Sequence, residues 1–474
     1  MRDYYPLYVG GLPESTALAR AVVRDVYSGQ PATQVARADA EVVERAIMAA
    51  CAAAPAMAAL SRFRRQEILR HCAQAFQARS EELIQTLCVE VGKPLRDARI
   101  EVERLIDTFL HAADCCIEAV GEVLSLDVMP RALGYRGMVK RVPVGPVLLI
   151  APFNFPLNLV AHKVAPAIAA GCPFILKPAS LTPVSALLMA EILADAGLPP
   201  GAFSVLPCDR EVAESLVTDQ RLRLLSFTGS AEVGWAIKAR AGKKKVILEL
   251  GGNAACIVAA SAELAQVVPR LLQGIFAQAG QSCISVQRIY VHVSLYAQLR
   301  AALVEGARHL KVAPPEQETT VLGPMITVQA AERLQSWVDE AILAGGVLLC
   351  GGGHEGNRMQ ASLLENVPEH CKLVAEEAFG PVAVLASYDN FEEVLNTVNR
   401  SRYGLQAGVF TSRLDEAMLA WDRLEVGGVV VGDIPSWRAD AMPYGGVKDS
   451  GIGREGLRYA IEEMTESRLL IIHG

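Results

Sequence analysis

From Pro146 onward, short apolar runs alternate with amphipathic stretches, and this rhythm restricts the chain to few folds. Residues 146–151 read as a short continuous strand and 157–170 as a helix. Residues 174–177 then read as a strand and 183–196 as a helix, and 203–206, 224–227 and 245–249 carry the alternation forward. Strands that are apolar on both faces and separated by helices predict a doubly wound parallel sheet of the α/β class. A second α/β set follows at 255–258, 288–293, 346–350, 382–385 and 428–431, with the natural boundary near Gly251-Gly252. Upstream, from Asp39 to about Val120, Val42, Val43, Ala46, Ile47 and Ala50 open a helical period. Gly92-Lys93-Pro94 predicts a break between two helices there. Between these regions, 122–128 and 137–142 form β-like runs separated by Pro130 and Gly134. Such a ribbon packs on a core or extends as an arm to another subunit.

The bulk properties narrow the class. At roughly 150 residues per domain, 474 residues suggest about three domains. A composition 51% hydrophobic and 20% charged excludes disorder. Its 45 basic and 52 acidic residues leave a formal charge of −7, which argues against a nucleic-acid binder. The eleven cysteines are scattered without a CxxC pair, which speaks against a disulfide framework or zinc ribbon and for a reducing compartment, the cytoplasm. The eight histidines form no HExxH or HxxxH pair, so no metal is expected, and the N-terminus shows no signal-peptide pattern. The uncharged run 142–161 holds Pro143, Pro146, Pro152 and Pro156, so no membrane span is expected there.

Four segments could carry chemistry. In Gly280-Gln281-Ser282-Cys283 a glycine and small polar residues suit a turn that offers a thiol to a cleft, although a buried structural cysteine fits the same pattern. No histidine is close in sequence to act as its base. Glu249-Leu250-Gly251-Gly252-Asn253 places a carboxylate at a strand's carboxyl end, where open α/β sheets bind ligands; a solvated strand end is the alternative. Partial burial there would raise its pKa toward that of a general base. Phe227-Thr228-Gly229-Ser230, opening a helix after a strand, could receive a phosphate on free N–H groups, or be a plain turn with a serine cap. In Pro152-Phe153-Asn154-Phe155-Pro156 two prolines stiffen a turn around an asparagine whose amide could stabilise an oxyanion.

Together, in this order, these segments resemble the aldehyde dehydrogenase superfamily over essentially the whole chain. Further matches are Leu176-Lys177-Pro178-Ala179, Glu376-Glu377-Ala378-Phe379-Gly380-Pro381-Val382, Pro443-Tyr444-Gly445-Gly446-Val447-Lys448 and Ser450-Gly451-Ile452-Gly453-Arg454-Glu455. The resemblance implies that Cys283 is the nucleophile, that Asn154 and the Cys283 N–H form an oxyanion hole, and that Glu249 activates water to release a carboxylic acid. It also implies NAD or NADP contacts at Lys177, Ser180, Phe227, Gly229, Ser230, Gly234, Leu250, Glu377 and Phe379. Many NAD-preferring members carry a glutamate where this chain has Ser180; a serine tolerates a 2′-phosphate, so NADP is expected to be accepted.

The look of the chain is closest to the branch of lactaldehyde, phosphonoacetaldehyde and non-phosphorylating glyceraldehyde-3-phosphate dehydrogenases, which implies a small polar or anionic aldehyde. Arg104, His162, Ser282 and Arg438 are the candidate substrate contacts. Ser282 stands where phosphate-binding members often carry arginine, which speaks against a phosphorylated substrate. The rivals are a CoA-acylating aldehyde dehydrogenase, which commonly lacks the carboxylate of Glu249, and a cysteine thioesterase or hydrolase without nicotinamide. The implied fold is a Rossmann-like cofactor domain (1–120 and 143–251), an α/β catalytic domain (252–448), and a β-ribbon oligomerisation element (121–142 and 463–474). The last of these predicts a homodimer or homotetramer.

Overall fold

The computed structural model describes residues 1–15, 18–118 and 121–474; Val120, where the helical period was expected to end, lies outside the described residues. An eight-stranded sheet runs in the order Gly451–Ile452, Lys245–Glu249, Leu224–Thr228, Val147–Ile150, Phe174–Lys177, Phe203–Val205, Leu7–Val9, Leu12–Glu14. Its five central strands are parallel, and the others join antiparallel at the edges. Alternate residues face two helical layers. Val147 and Leu149 pack into one core with Phe174 and Leu176, while Leu148 and Ile150 pack into the other with Ile175 and Phe227. Burial on both faces is why these strands read as unbroken apolar runs. All 13 residues of the helix Asn158–Ala170 are buried, which makes it the central packing element beneath the sheet.

A second sheet of seven strands has the order Val347–Cys350, Ser362–Glu365, Val382–Tyr388, Arg288–His292, Ala255–Val258, Gln406–Phe410, Gly428–Val431. Only Val347–Cys350 pairs antiparallel within it. The region expected to be helical is four helices: Ala40–Ala59, Arg62–Ala78, Ser80–Val91 and Leu95–Cys115. The third ends at Gly92, whose φ of +71° is left-handed, as the Gly-Lys-Pro break requires. Helix Ala40–Ala59 is long and apolar enough to cross a membrane; its buried side, Val42 to Ala50, packs against the sheet. The run 142–161 divides into the end of Tyr135–Pro143, the buried strand Val147–Ile150, a turn and the start of Asn158–Ala170.

The ribbon is a three-stranded antiparallel sheet in the order Thr465–His473, Tyr135–Pro143, Gly121–Leu124. The C-terminal strand pairs along its whole length with Tyr135–Pro143 of its own chain, and Leu469, Leu470, Ile471 and Ile472 remain about half exposed.

Candidate active site

Chain order places the site. From Val147–Ile150 the first sheet grows one way through Phe174–Lys177 and Phe203–Val205, then the other way through Leu224–Thr228 and Lys245–Glu249. The reversal leaves a crevice at the carboxyl ends of Val147–Ile150 and Leu224–Thr228, the position at which such sheets bind ligands. The turn after the first of these strands holds Pro152, Phe153 and Asn154, and the turn after the second holds Gly229 and Ser230. Both turns line one cavity of about 820 Å³, together with Glu249, Leu250, Cys283, Glu377 and Phe379.

Cys283 comes to this cavity from the other sheet, on the loop that precedes strand Arg288–His292. The loop leaves helix Leu264–Phe276 through Gln278, Ala279 and Gly280, all left-handed at φ of +53°, +53° and +65°. Two consecutive non-glycine residues in that region carry strain that the surroundings must hold in place. The hold is visible. The Gln278 N–H donates to Asp97 Oδ2 (3.3 Å), Ile326 N–H donates to Gln281 Oε1 (2.9 Å), and Asn154 Nδ2 donates to the Gln281 carbonyl (2.9 Å). A Cβ on Gly280 would sit 2.1 Å from the Gly380 carbonyl oxygen, so only glycine fits.

Asn154 is itself clamped. Its carbonyl accepts from Lys93 Nζ (3.0 Å) and Gln278 Nε2 (3.3 Å). Lys93 is fully buried, pairs with Glu101, and lies 3.9 Å from the Phe155 ring centroid. Glu101 Oε1 in turn accepts from the Leu157 and Asn158 N–H groups (2.9 and 3.1 Å) at the start of helix Asn158–Ala170. With one amide N–H on Gln281, the second N–H of Asn154 is left for a ligand.

Glu249, at the end of its strand, is buried with neither carboxyl oxygen hydrogen-bonded. Burial, then the negative charge of Glu455, push its pKa well above the ordinary carboxylate value, against the pull of Arg438 and Lys163. Glu455 goes the other way: burial alone would raise it, but Lys163 at 2.9 Å and Arg438 hold it ionised. The Cys283 thiol is pushed up to about 12, mainly by burial, while a hydrogen bond with Tyr444 Oη at 3.0 Å pulls the other way.

The cavity fits a dinucleotide on its own geometry. Ser230 occupies the N-cap of helix Ala231–Arg240, yet its side chain caps nothing, so the serine-cap alternative fails and the helix start stays open toward the cavity. A Cβ on Gly229 would come within 2.6 Å of the Phe227 ring, and one on Gly234 within 2.3 Å of Leu250, so glycine brings the helix close to the strand. Glu377 Oε1 accepts from Gly252 N–H (3.0 Å), and burial raises its pKa to about 7. Phe379 packs edge-on against Phe153 at 5.7 Å.

Not every expected residue meets there. Gly229, Ser230, Leu250, Glu377 and Phe379 line the cavity; Phe227 and Gly234 support it from beneath. Lys177 lies outside its lining, half-buried and donating to the Pro178 carbonyl (3.2 Å), and Ser180 is exposed on the following turn. Arg104 and His162 are brought together by Asp440, which accepts from Arg104 at 2.6 Å and lies 2.7 Å from His162 Nε2. Burial, reinforced by Arg438, lowers the His162 pKa to about 4, so its ring is neutral. Ser282 turns away from the cavity, its hydroxyl near the Ile284 N–H at 3.5 Å. Arg438 is buried over the Tyr444 ring at 3.8 Å, with its Nε unpartnered. Sequence reasoning missed Lys93, Glu101, Lys163, Asp440, Tyr444 and Glu455. Lys93, Tyr444 and Glu455 stood inside quoted segments, which was the available signal.

Known proteins match the chain over nearly its whole length. Residues 14–470 match the model of the aldehyde dehydrogenase family. The 3-sulfolactaldehyde dehydrogenase of Priestia megaterium is 43% identical over 470 residues, covering 99% of this chain and 98% of that protein. Aldehyde dehydrogenase 21 from Physcomitrella patens, solved in complex with the reaction product succinate, superposes with a TM-score of 0.98 at 46% identity, covering 100% and 99% of the two chains. Glyceraldehyde-3-phosphate dehydrogenase GapN from Methanocaldococcus jannaschii, complexed with NADP, gives a TM-score of 0.93 at 37% identity, covering 97% of this chain and 100% of that one.

Proposed function

Since the chain belongs to the aldehyde dehydrogenase family, we propose that it oxidises a short aldehyde with an anionic tail to its carboxylic acid through a thioester on Cys283. The observation that carries this reading is the shared cavity of Cys283, Asn154 and the unpartnered Glu249 carboxyl, opening on the Thr228–Ser230 turn. The Cys283 sulfur attacks the aldehyde carbon, and the carbonyl π pair moves to oxygen. The free N–H of Asn154 and the Cys283 backbone N–H face that oxyanion. The nicotinamide dinucleotide, when bound, supplies the acceptor for the hydride. Glu249 then takes a proton from the water that attacks the thioester, and its raised pKa makes it a stronger base than an ordinary carboxylate. Ser230 and the open helix start would hold the pyrophosphate, and Glu377 a ribose.

The anionic tail is argued from charge. Arg104, Lys163 and Arg438 face two carboxylates, Asp440 and Glu455, while burial keeps the His162 ring neutral. The cluster therefore carries a surplus positive charge, and the unpartnered Nε of buried Arg438 is the donor with capacity to spare. Sulfolactaldehyde and succinate, named for the relatives, both carry such a tail. Steady-state kinetics should show kcat/KM for 3-sulfolactaldehyde or succinic semialdehyde about a hundredfold above propanal, within the range for a buried charged hydrogen bond. Equal values would sink the anionic reading. Run under both cofactors, the panel should show turnover with NADP, and Ser180→Glu should suppress it. Acid without added CoA separates this reading from a CoA-acylating enzyme.

The division into a cofactor domain (1–120 and 143–251), a catalytic domain (252–448) and an oligomerisation element (121–142 and 463–474) belongs to the same proposal. So does a homodimer or homotetramer. Eleven free thiols suit a reducing cytoplasm.

A further inference from the structure

The thiol of Cys283 faces a difficulty that the reaction does not resolve by itself. Its burial disfavours the thiolate, and among the described residues no imidazole bonds the sulfur. What does is Tyr444 Oη, at 3.0 Å. We propose that Tyr444 is a catalytic hydrogen-bond donor, whose hydroxyl orients the Cys283 sulfur and stabilises its thiolate for attack. This rests on Cys283 being the nucleophile.

The phenol is built to stay put. Its backbone N–H donates to the Glu455 carbonyl (2.9 Å) and its carbonyl accepts from the Glu455 N–H (2.6 Å). Its ring is buried with Ile284 and Leu405. The Arg438 guanidinium lies 3.8 Å from the ring centroid, and a cation on the π face draws charge from the phenol and strengthens O–H as a donor. Burial, with the neighbouring Cys283, keeps Tyr444 protonated far above neutrality, so it keeps its own proton while sulfur gives one up. The next residue must be glycine: a Cβ on Gly445 would lie 2.7 Å from Glu249 Oε1. One dipeptide therefore touches nucleophile and base at once. The other charged groups facing the thiol are Glu377 and Glu249, which oppose ionisation, and Arg438, which favours it.

The step is simple. The S–H bond breaks, its electron pair stays on sulfur, and the proton leaves to water. The Tyr444 hydroxyl then donates to a full negative charge, a stronger bond than either neutral arrangement.

The test uses the whole enzyme without aldehyde or cofactor. Iodoacetamide alkylation of Cys283, followed on its peptide by mass spectrometry, measures the thiolate directly as sulfur displaces iodide. Tyr444→Phe should slow alkylation at pH 8 about tenfold and move the pH profile up by about one unit. Its melting temperature should stay near that of the parent. Unchanged or faster alkylation overturns the proposal, because a packing role would not move the profile and an accepting hydroxyl would move it down. Should Tyr444→Phe misfold, 3-fluorotyrosine placed at 444 lowers the phenol pKa and should speed alkylation; slower or unchanged alkylation overturns the proposal. Because no turnover is measured, a shifted profile in an enzyme that oxidised no anionic aldehyde would refute the substrate reading alone.

Discussion

A carboxyl group sealed away without a hydrogen-bond partner, as Glu249 is, costs the fold stability once it ionises. Its pKa is higher folded than unfolded, so the folded state holds the proton more tightly. Stability therefore falls as pH rises from the ordinary carboxylate value toward the raised one, and Glu249→Gln should flatten that slope in melting curves taken across pH. The same variant should still form the thioester and then stall. Stopped-flow absorbance would show a burst of about one reduced nicotinamide per site, with kcat down roughly 10²- to 10⁴-fold. In the parent, kcat should climb with pH as Glu249 gives up its proton, and a flat profile would argue against it as the base. Cys283, Glu249 and Asn154 were legible from sequence because each sits in a motif whose residue types suit one chemistry. Tyr444 was not, since its partner is 161 residues away and a phenol beside two glycines reads as packing. His162 and Arg104 were picked out individually, but Asp440, which joins them, gave no local signal.

At the level of elements, the break at Gly92-Lys93-Pro94 does more than end a helix. The Lys93–Glu101 pair, fully buried, links the helix Leu95–Cys115 to the Asn154 carbonyl and to the first N–H groups of Asn158–Ala170. Removing one member strands the other's charge. Lys93→Met and Glu101→Gln should each cost about 3–5 kcal/mol in urea unfolding. In whatever remains folded, kcat should fall while KM holds, because the oxyanion donor shifts and the tail's cluster does not. The strands of both sheets were readable where they are apolar on both faces, such as Lys245–Glu249 and Ala255–Val258. Leu7–Val9, Leu12–Glu14 and Gly451–Ile452 escaped because strands of two or three residues show no period. The pause between Arg62–Ala78 and Ser80–Val91 escaped because no glycine or proline marks it.

For the whole molecule, the C-terminal strand presents an open edge and apolar side chains on both faces. On the proposal of a homodimer or homotetramer, a second chain covers it. Ile471→Asp should lower the mass measured by light scattering, whereas an unchanged mass would place the subunit contact elsewhere. The sheets themselves meet with the carboxyl edge of one against the loop that feeds the other, and the thiol hangs on that piece of chain. Asp97, Asn154, Ile326 and Gly380 each fix one point of that piece. The number of residues from Phe276 to Arg288 is accordingly a counted quantity: one inserted or deleted there would slide the sulfur out of line, while the surrounding architecture could remain standing and inert.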